Sequence, residues 1–191
     1  MNDLIADVLV KRLMPLKVQG LLADVVGLVQ TIESDALSGN KKKLSYPAPI
    51  GCPTGDCQDD WKRLVPDQAK PGFVFFEGGT YRTSMVNGFK RVQTRLTLIC
   101  WFNGKLINNC IPDRIGRVLM ATMCPNGRTI PIMDEASAVT SLQLSGYSSA
   151  TTDPFLKYTG FAPLFNFKTP PYGYVAIELA LTAFVDESCL V

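Results

Sequence analysis

The side chains best suited to acid–base or metal chemistry are aspartates in the first third of the chain. Asp56, Asp59 and Asp60 lie close together, and Asp67 follows them. Clustered carboxylates can hold a hard divalent cation or act as a general acid and base. The spacing lacks the EF-hand pattern and its central glycine, so it favours a solvated loop. A carboxylate- or metal-dependent enzyme remains an alternative function on this ground.

Six cysteines are scattered along the chain. Cys52 and Cys57 have a spacing that can hold half of a zinc site, but no second close pair completes it. We interpret them as incidental loop cysteines, with a disulfide and a metal site left open as alternatives. Cys100 falls on the apolar side of a predicted strand and is expected to be a buried core thiol.

Histidine is absent from the sequence. Its absence excludes Ser-His-Asp and Cys-His catalysis, zinc chemistry assisted by histidine and a histidine pH switch. The run Glu77-Gly78-Gly79-Thr80 is expected to be a turn at a strand end, because it lacks the Gly-Lys-Ser/Thr of a P-loop. No GxGxxG motif is present either. The sequence therefore predicts no catalytic residue, no cofactor and no metal, and a function other than catalysis.

The composition is that of a folded chain: 47% of the 191 residues are hydrophobic and 19% are charged. We expect one domain over residues 1–191, a size that supports a substantial core. A net charge of +2 is too small to indicate a nucleic-acid-binding protein by itself. The first residues lack the basic region of a signal peptide, and no apolar run is long enough for a membrane span. A soluble protein made in the cytosol, without a membrane partner, is expected.

Two long segments alternate apolar and polar residues, and they predict two long, half-buried strands of a sheet. Residues 174–185 contain no breaker, and residues 91–102 have the same pattern. Ile99 and Trp101 lie on the otherwise polar side of the second segment, and Phe184 does so on the first. Both faces of the sheet are therefore expected to be covered at these points. We expect the same chain to cover Trp101 and leave open what covers Phe184.

Helical periodicity predicts two helices. Residues 3–14 place their apolar side chains on one stripe, with Asn2 as the expected cap and Pro15 as the expected end or the start of a new element. The second helix covers residues 112–123, where proline suits the first turn and Asp113 suits the positive end of the dipole.

The remaining segments give weaker signals. Residues 20–33 fit helical spacing but are rich in β-branched side chains, and we favour a strand in their second half. Residues 34–71 and 146–171 have the turn-forming and small polar residues of long loop insertions. Shorter extended segments are expected at 43–46, 72–77, 80–89 with a turn at Asn87-Gly88, 129–133 and 139–144.

Two groups of basic residues can form a surface that touches DNA phosphates. The first group is consecutive, so a loop would present all of it, and the second group is clustered on one predicted strand. We favour solvation or ion pairing with a neighbouring subunit for each of them, with non-specific DNA contact as the alternative. The residues are Lys41, Lys42, Lys43, Lys90, Arg91 and Arg95.

Aromatic residues are concentrated in segment 155–167, which can pack over the core of the same chain or over a partner. Together with one residue of the last strand, they are the candidate interface aromatics of this sequence. They are Phe155, Phe161, Phe165, Phe167 and Phe184.

The order of the predicted elements is an N-terminal helix, a loop-rich region, a hairpin with one long strand, a short helix, a loop and a long closing strand. This order resembles that of the tail-terminator and tail-completion proteins of tailed bacteriophages. The segments that carry the resemblance are 4–13, 91–102, 112–123 and 174–185, and they span most of the chain. The resemblance implies a small α/β domain with helices packed on a mixed or antiparallel sheet, and a ring that caps or joins the tail at the neck.

We therefore expect an α/β (α+β) fold, with a mainly antiparallel or mixed sheet flanked by two or three helices and with long loop insertions. The resemblance implies a structural virion protein that forms a homo-oligomeric ring at the head–tail junction, where the two insertions would reach adjacent rings. Its partners would be copies of itself, other neck, portal or tail proteins and, without sequence specificity, the packaged DNA. The alternatives are a monomeric cytosolic binding module with an apolar pocket between sheet and helix, and the enzyme considered above.

Overall fold

The computed structural model describes residues 1–35, 43–50, 63–108, 111–133, 137–162 and 164–186, without the side chains of 34 and 35. In this part of the chain, a single mixed sheet of seven strands carries two α-helices, which confirms the expected α+β class. The strand order is β2-β1-β3-β4-β7-β6-β5, with β1 and β3 parallel and the other neighbours antiparallel. The elements are α1 (Asn2–Val18), β1 (Asp24–Asp35), β2 (Lys43–Pro49), β3 (Gly72–Val86), β4 (Phe89–Asn103), α2 (Pro112–Met123), β5 (Thr129–Ile130), β6 (Val139–Ser149) and β7 (Tyr172–Val185).

The two strands with the clearest alternation, β4 and β7, are neighbours at the centre of the sheet. They pair from Lys90↔Val185 to Asn103↔Tyr172 without a break in register. Alternate residues of both strands point to the helices, and the other residues point to the opposite face, which we call the back face. This confirms the two predicted long strands, since period-two patterns place one set of side chains in a core. The inner position of the last strand, β7, is a finding of the structure. The buried residues on the helix side of these strands are Val92, Leu96, Leu98, Cys100, Phe102, Ile177, Leu179, Leu181, Ala183 and Val185.

Helix α1 continues through Pro15, so the prediction that proline ends it is wrong. Proline removes one intrahelical hydrogen bond, but Leu13 and Leu16 on either side of it are buried against the sheet. The helix is held together past the proline, where the N–H of Gln19 donates to the Pro15 oxygen over 2.9 Å. Burial of an apolar stripe offsets the cost of the missing bond.

Asn2 is not the cap of α1, because Met1 precedes the first helical residue. Its side chain instead joins the helix to the sheet. Nδ2 donates to the Gly79 oxygen over 2.9 Å, and Oδ1 accepts from the Thr94 hydroxyl over 2.8 Å. The first residues of the helix are therefore fixed over β3 and β4.

The back face carries a second core, which is formed by aromatic side chains. Phe73 and Phe75 of β3 and Trp101 of β4 are buried there. They are covered by the paired strands β1 and β2 and by the segment between β6 and β7, which contains 3-10 turns at Pro154–Lys157 and Thr159–Phe161. The indole Nε1 of Trp101 donates to the Phe167 oxygen over 2.8 Å. The expectation that the same chain covers Trp101 is confirmed.

Several weaker predictions are resolved by the strand bounds. The second half of 20–33 is a strand, and residues 43–46 pair with it as part of β2. Strand β6 continues to Ser149, so the first residues of the expected 146–171 loop belong to the sheet. The predicted turn at Asn87-Gly88 is confirmed, with both residues at positive φ (50° and 83°).

The expected turn at Gly78-Gly79 is a bulge inside one long strand. The register between β3 and β4 shifts between Gly78 and Tyr81, and pairing then resumes as far as Val86. A Cβ atom at Gly79 would lie 2.7 Å from the Arg95 oxygen, so glycine permits the close approach of the two backbones here.

Neither α-helix in the described ranges combines the length and the apolarity that crossing a bilayer requires.

Candidate functional site: a basic hairpin between two open strand edges

Strand β3 loses its outer neighbour halfway along its length. Strand β1 pairs with β3 from Asp24↔Phe73 to Leu28↔Phe76, and it then continues beside β2 alone. From Gly78 to Met85 every residue of β3 is exposed. Among the described residues, no strand pairs with this half of β3 on the side away from β4. It is an open sheet edge, which has backbone donors and acceptors free to pair.

The open half of β3 and the first half of β4 form a hairpin, residues 78–95, which we call the basic hairpin. Its β4 arm is paired with β7 from Lys90 onward. Three of its large apolar side chains are well exposed: Tyr81 (52%), Met85 (63%) and Phe89 (41%). The register places Tyr81 opposite Thr94 and Met85 opposite Lys90, on the helix side of the sheet. The hairpin therefore offers apolar contact area beyond the reach of α1.

The basic hairpin contains four basic residues and no acidic one, so its charge is +4 in a chain whose net charge is +2. Arg82 lies opposite Gln93, and Ser84 lies opposite Arg91, so alternation places Arg82, Arg91 and Arg95 together on the back face. Lys90 points to the helix side, which corrects the expectation that it lines the same surface. Adjacent residues of a strand point to opposite faces.

An acidic residue and an aromatic residue border this basic surface on β7. Glu178 is exposed on the back face, between Thr97 of β4 and Ser148 of β6. Within the described ranges it forms no ion pair with a basic side chain. Phe184 is half-buried on the same face, where it lies opposite Arg91. Sequence reasoning had singled out neither Arg82 nor Glu178. The bulge between Gly78 and Tyr81 brings Arg82 to the face of Arg95, and the pairing of Thr97 with Glu178 brings Glu178 there.

A second open edge lies on the other side of the sheet, on β6. The short strand β5 pairs only with Leu142 and Gln143, and the Leu144 N–H donates to the Arg128 oxygen over 2.7 Å. Beyond that point, residues 145–149 have β7 as their one partner strand in the described part of the chain. Tyr147, in the middle of this stretch, is 63% exposed.

The outer edge of β2 is blocked. Pro47 and Pro49 have no N–H to offer. The N–H of Ser45 donates to the Thr159 hydroxyl, and the Pro47 oxygen accepts from the N–H of Leu64, both over 3.0 Å.

Of the three consecutive lysines that the sequence suggested as a basic surface, Lys43 lies exposed at the start of β2, in a different strand pair from the basic hairpin. Lys41 and Lys42 lie outside the described residues.

Most of the predicted interface aromatics belong to the second core of their own chain. Phe155, Phe161 and Phe167 are buried there and contact one another with ring centroids 5.4–5.5 Å apart. Phe165 is partly buried and lies 4.7 Å from the Tyr172 ring. Packing on the sheet removes the rings of Phe155, Phe161 and Phe167 from water within their own chain, and Phe165 stays partly exposed. Phe184 alone among the five lies outside this core.

A polar clamp holds the aromatic segment on the sheet. The Tyr158 hydroxyl donates to Oε1 of Glu77 over 2.5 Å, and Nζ of Lys157 lies 2.7 Å from Oε2 of the same carboxylate. Burial, followed by the hydrogen bond to Glu77, raises the pKa of Tyr158 above its ordinary value. Asp153 and Lys168 form a further ion pair within this segment.

A groove of about 740 Å³ separates α2 from the ends of β6 and β7. Val175 and Ile177 pack beneath Gly116 to form its apolar floor. Asp113 and Arg117 of α2 stand among its lining residues. The groove lies where an apolar pocket between sheet and helix was expected for a binding module.

The other side chains that the sequence suggested for metal binding or reactivity show no reactive arrangement within the described residues, or they lie outside those residues. No group of three His, Cys, Asp or Glu that could hold a metal occurs among the described residues. Burial raises the pKa of the Cys100 thiol to about 12, so it stays protonated. Oδ1 of Asp67 accepts from the Ala69 N–H in a local turn. The other aspartates of the predicted cluster and the cysteine pair lie outside the described residues.

No protein-family model matches this chain, and no curated protein is significantly similar to it.

Proposed function

We propose that this chain is a structural subunit that assembles with copies of itself into a ring. The observation that carries the proposal is the open edge of β3, which is exposed from Gly78 to Met85 while its other side pairs with β4. A second, unlike open edge on β6 lies on the other side of the same sheet. Two different surfaces that fit each other produce head-to-tail contacts, and such contacts form a ring when the rotation from one subunit to the next closes.

The ring would lie at the head–tail junction of a tailed bacteriophage. This part of the proposal is supported by the order of the elements, since two helices and two central strands occur in the order that resembles tail-terminator and tail-completion proteins. Neck, portal or tail proteins would be its neighbours in the virion. Interface formation would be its mechanism, with buried apolar area contributing roughly 25 cal/mol per Å² before the cost of ordering.

Packaged DNA would meet the basic surface of the hairpin. Arg82, Arg91 and Arg95 share the back face, and no acidic residue lies within the hairpin itself. Such a surface attracts phosphates without reading bases, and its affinity falls steeply with salt. Weak, sequence-independent contact suits a channel through which DNA must pass.

The experiment that tests assembly is native mass spectrometry of the purified chain, combined with negative-stain electron microscopy. Particles with a central hole and one defined multiple of the 20.9 kDa subunit mass are expected. A monomer at every concentration would contradict the proposal. The position in the virion is tested by gold-labelled antibody on intact phage particles, where label away from the head–tail junction would contradict it.

A second candidate function is supported by the groove between α2 and the sheet. Its volume of about 740 Å³ and its apolar floor are suited to a small apolar ligand. In that case the chain would be a monomeric binding module. A monomeric mass, together with a ligand-induced rise in melting temperature that Gly116→Leu abolishes, would favour this candidate over the ring.

A further inference from the structure

We propose that neighbouring subunits join by pairing their strand edges, so that one sheet continues into the next. Residues 81–85 of β3 in one subunit would hydrogen-bond with residues 145–149 of β6 in the next subunit, in antiparallel orientation. The inference rests on the proposed ring and names the two surfaces that make it. Edge pairing of this kind takes its affinity from the main chain and its specificity from the alternating side chains.

The directions of the strands fit this arrangement. Each step from β3 to β4, β7 and β6 reverses the direction of the chain, so β6 runs antiparallel to β3 within one subunit. In a head-to-tail ring, neighbouring copies have nearly the same orientation in the plane of the sheet. The open edge of β3 therefore meets the open edge of β6 in the antiparallel sense, with the helices of both subunits on the same side.

The backbone groups of β3 that point to the open edge belong to Tyr81, Thr83 and Met85. Val86 and Phe89 flank the two-residue turn as directly opposed residues, and such residues exchange their hydrogen bonds with each other. Bonded and non-bonded pairs then alternate along an antiparallel ladder. The N–H and C=O groups of residues 81, 83 and 85 consequently point away from β4, toward the open edge.

The free groups of β6 belong to Tyr147 and Ser149. The N–H of Ala150 donates to the Ala176 oxygen over 2.9 Å, so residue 150 points toward β7. By the same alternation the backbone N–H and C=O groups of residue 148 point toward β7, and those of residues 147 and 149 point outward. Tyr147 lies opposite Leu179, whose side chain is in the core beneath the helices, so Tyr147 is on the helix side.

The two edges therefore have the same phase. On both of them, the residues with outward backbone groups carry their side chains on the helix side. If the outward groups of one edge belonged to residues with side chains on the back face, pairing would have placed the helices of the two subunits on opposite faces of the joined sheet. Antiparallel pairing of 81–85 with 145–149 places Tyr81 opposite Ser149 and Thr83 opposite Tyr147. Tyr81 and Tyr147 are then diagonal neighbours on the helix side, where both are more than half exposed in the subunit and within reach of each other. Cross-strand aromatic pairs stabilise a sheet.

Charge complementarity on the back face indicates a second copy as the occupant. Arg82 of β3 would lie beside Ser148 of the next subunit, one strand away from Glu178. Both charged side chains are exposed in the subunit. The blocked edge of β2, with its two prolines, shows how this chain closes an edge that is not used. The β3 edge has no proline between Gly72 and Val86.

The first test replaces an outward N–H by proline. Thr83→Pro removes one donor from the open edge and leaves the bonds to β4 in place, whereas the control Thr83→Ala keeps the donor. Native mass spectrometry at equal concentration is expected to show a ring for the wild type and for Thr83→Ala, and a loss of the ring for Thr83→Pro. Circular dichroism establishes that each variant is folded.

The second test uses the other edge and complementation. Ser149→Pro alone is also expected to abolish the ring, with Ser149→Ala as its control. A mixture of Thr83→Pro and Ser149→Pro subunits retains one intact interface, between β3 of the second variant and β6 of the first. The mixture is expected to form a heterodimer and nothing larger. If Thr83→Pro does not fold, Ser149→Pro and its control still decide the outcome for the β6 edge.

The outcomes separate the two proposals. A wild-type monomer at all concentrations would overturn both the ring and the edge pairing. A wild-type ring that persists in a folded Thr83→Pro or Ser149→Pro variant would overturn the edge pairing and leave the ring intact. Dimers of Ser149→Pro alone would indicate pairing of β3 with itself, which also contradicts the proposed head-to-tail contact.

Discussion

The hydroxyl of Thr94 donates to Oδ1 of Asn2 over 2.8 Å, which links the central strand β4 to the first turn of α1. Nδ2 of the same asparagine donates to the Gly79 oxygen at the bulge of β3. One side chain at the start of the chain therefore fixes the helix beside the point where β3 has lost its neighbour β1. The bulge and the helix are coupled through it.

Asn2→Ala is expected to lower the free energy of unfolding by about 1–3 kcal/mol, because it removes two hydrogen bonds and leaves the buried Thr94 hydroxyl without its asparagine partner. Urea titration followed by circular dichroism measures the change. Lys17→Ala, at an exposed position of the same helix, serves as the control and should change the free energy by less than about 0.5 kcal/mol. Equal effects of the two substitutions would contradict the coupling.

Tyr158→Phe is expected to destabilise the fold by about 1.5–3 kcal/mol, because the Glu77 carboxylate loses a hydrogen bond from the buried hydroxyl. The pKa of Tyr158 is raised in the folded state, so the stabilisation is complete below the ordinary value of 10.0 and is lost as the pH rises above it. Unfolding free energies between pH 8 and pH 11 should fall less steeply in Tyr158→Phe than in the wild type. Parallel curves would rule out this role of the clamp.

Exchanging the charges of Arg82 and Glu178 tests the proposed contact on the back face. Arg82→Glu and Glu178→Arg should each weaken assembly, because each places like charges across the interface. The double variant should restore it, since the opposite charges meet again with their positions reversed. Sedimentation velocity gives the distribution of oligomers for all three. Assembly of the double variant no better than that of the single variants would argue against this pair.

Arg95→Gln is expected to reduce the salt dependence of DNA binding by the ring. Each phosphate contact that is lost lowers the slope of log K against log salt concentration by about 0.9. Fluorescence anisotropy with duplex DNA of two unrelated sequences measures both the slope and the lack of sequence preference. Lys105→Gln, at an exposed position outside the hairpin, is the matched control. A slope that is unchanged in Arg95→Gln would remove the DNA-facing role of this surface.

The sequence predicted the central part of the fold because period-two and helical patterns are local consequences of burying one face. The strands at residues 91–102 and 174–185, the helix at 112–123 and the position of Trp101 followed from such patterns. The end of α1 was predicted wrongly, because the burial of Leu16 depends on a sheet that lies far away in sequence. The turn at Gly78-Gly79 was wrong for a similar reason: the glycines meet the Arg95 backbone of another strand.

The candidate site was only partly predictable. Alternation alone placed Arg91 and Arg95 on one face. Arg82 joins them only because the bulge between Gly78 and Tyr81 shifts the alternation of β3, and the sequence did not predict that bulge. The sequence could not show that the 155–167 aromatics pack on their own sheet, since a partner would bury the same rings equally well. It also could not show where β1 leaves β3, because strand neighbours are chosen by contacts between distant segments.

By itself, the sequence determined which residues share a face within an uninterrupted stretch of strand, since the pleat of a strand is a property of its backbone. The bulges in β3 and β6, which shift this alternation, were decided by the tertiary structure. The sequence also determined where the main helices and strands form, because apolar periodicity and turn residues act over a few positions. Only the tertiary structure decided the order of the strands, and with it which edges are blocked and which are open. Edges are defined by the absence of a neighbour, and a neighbour is gained or lost through long-range packing that no local pattern records.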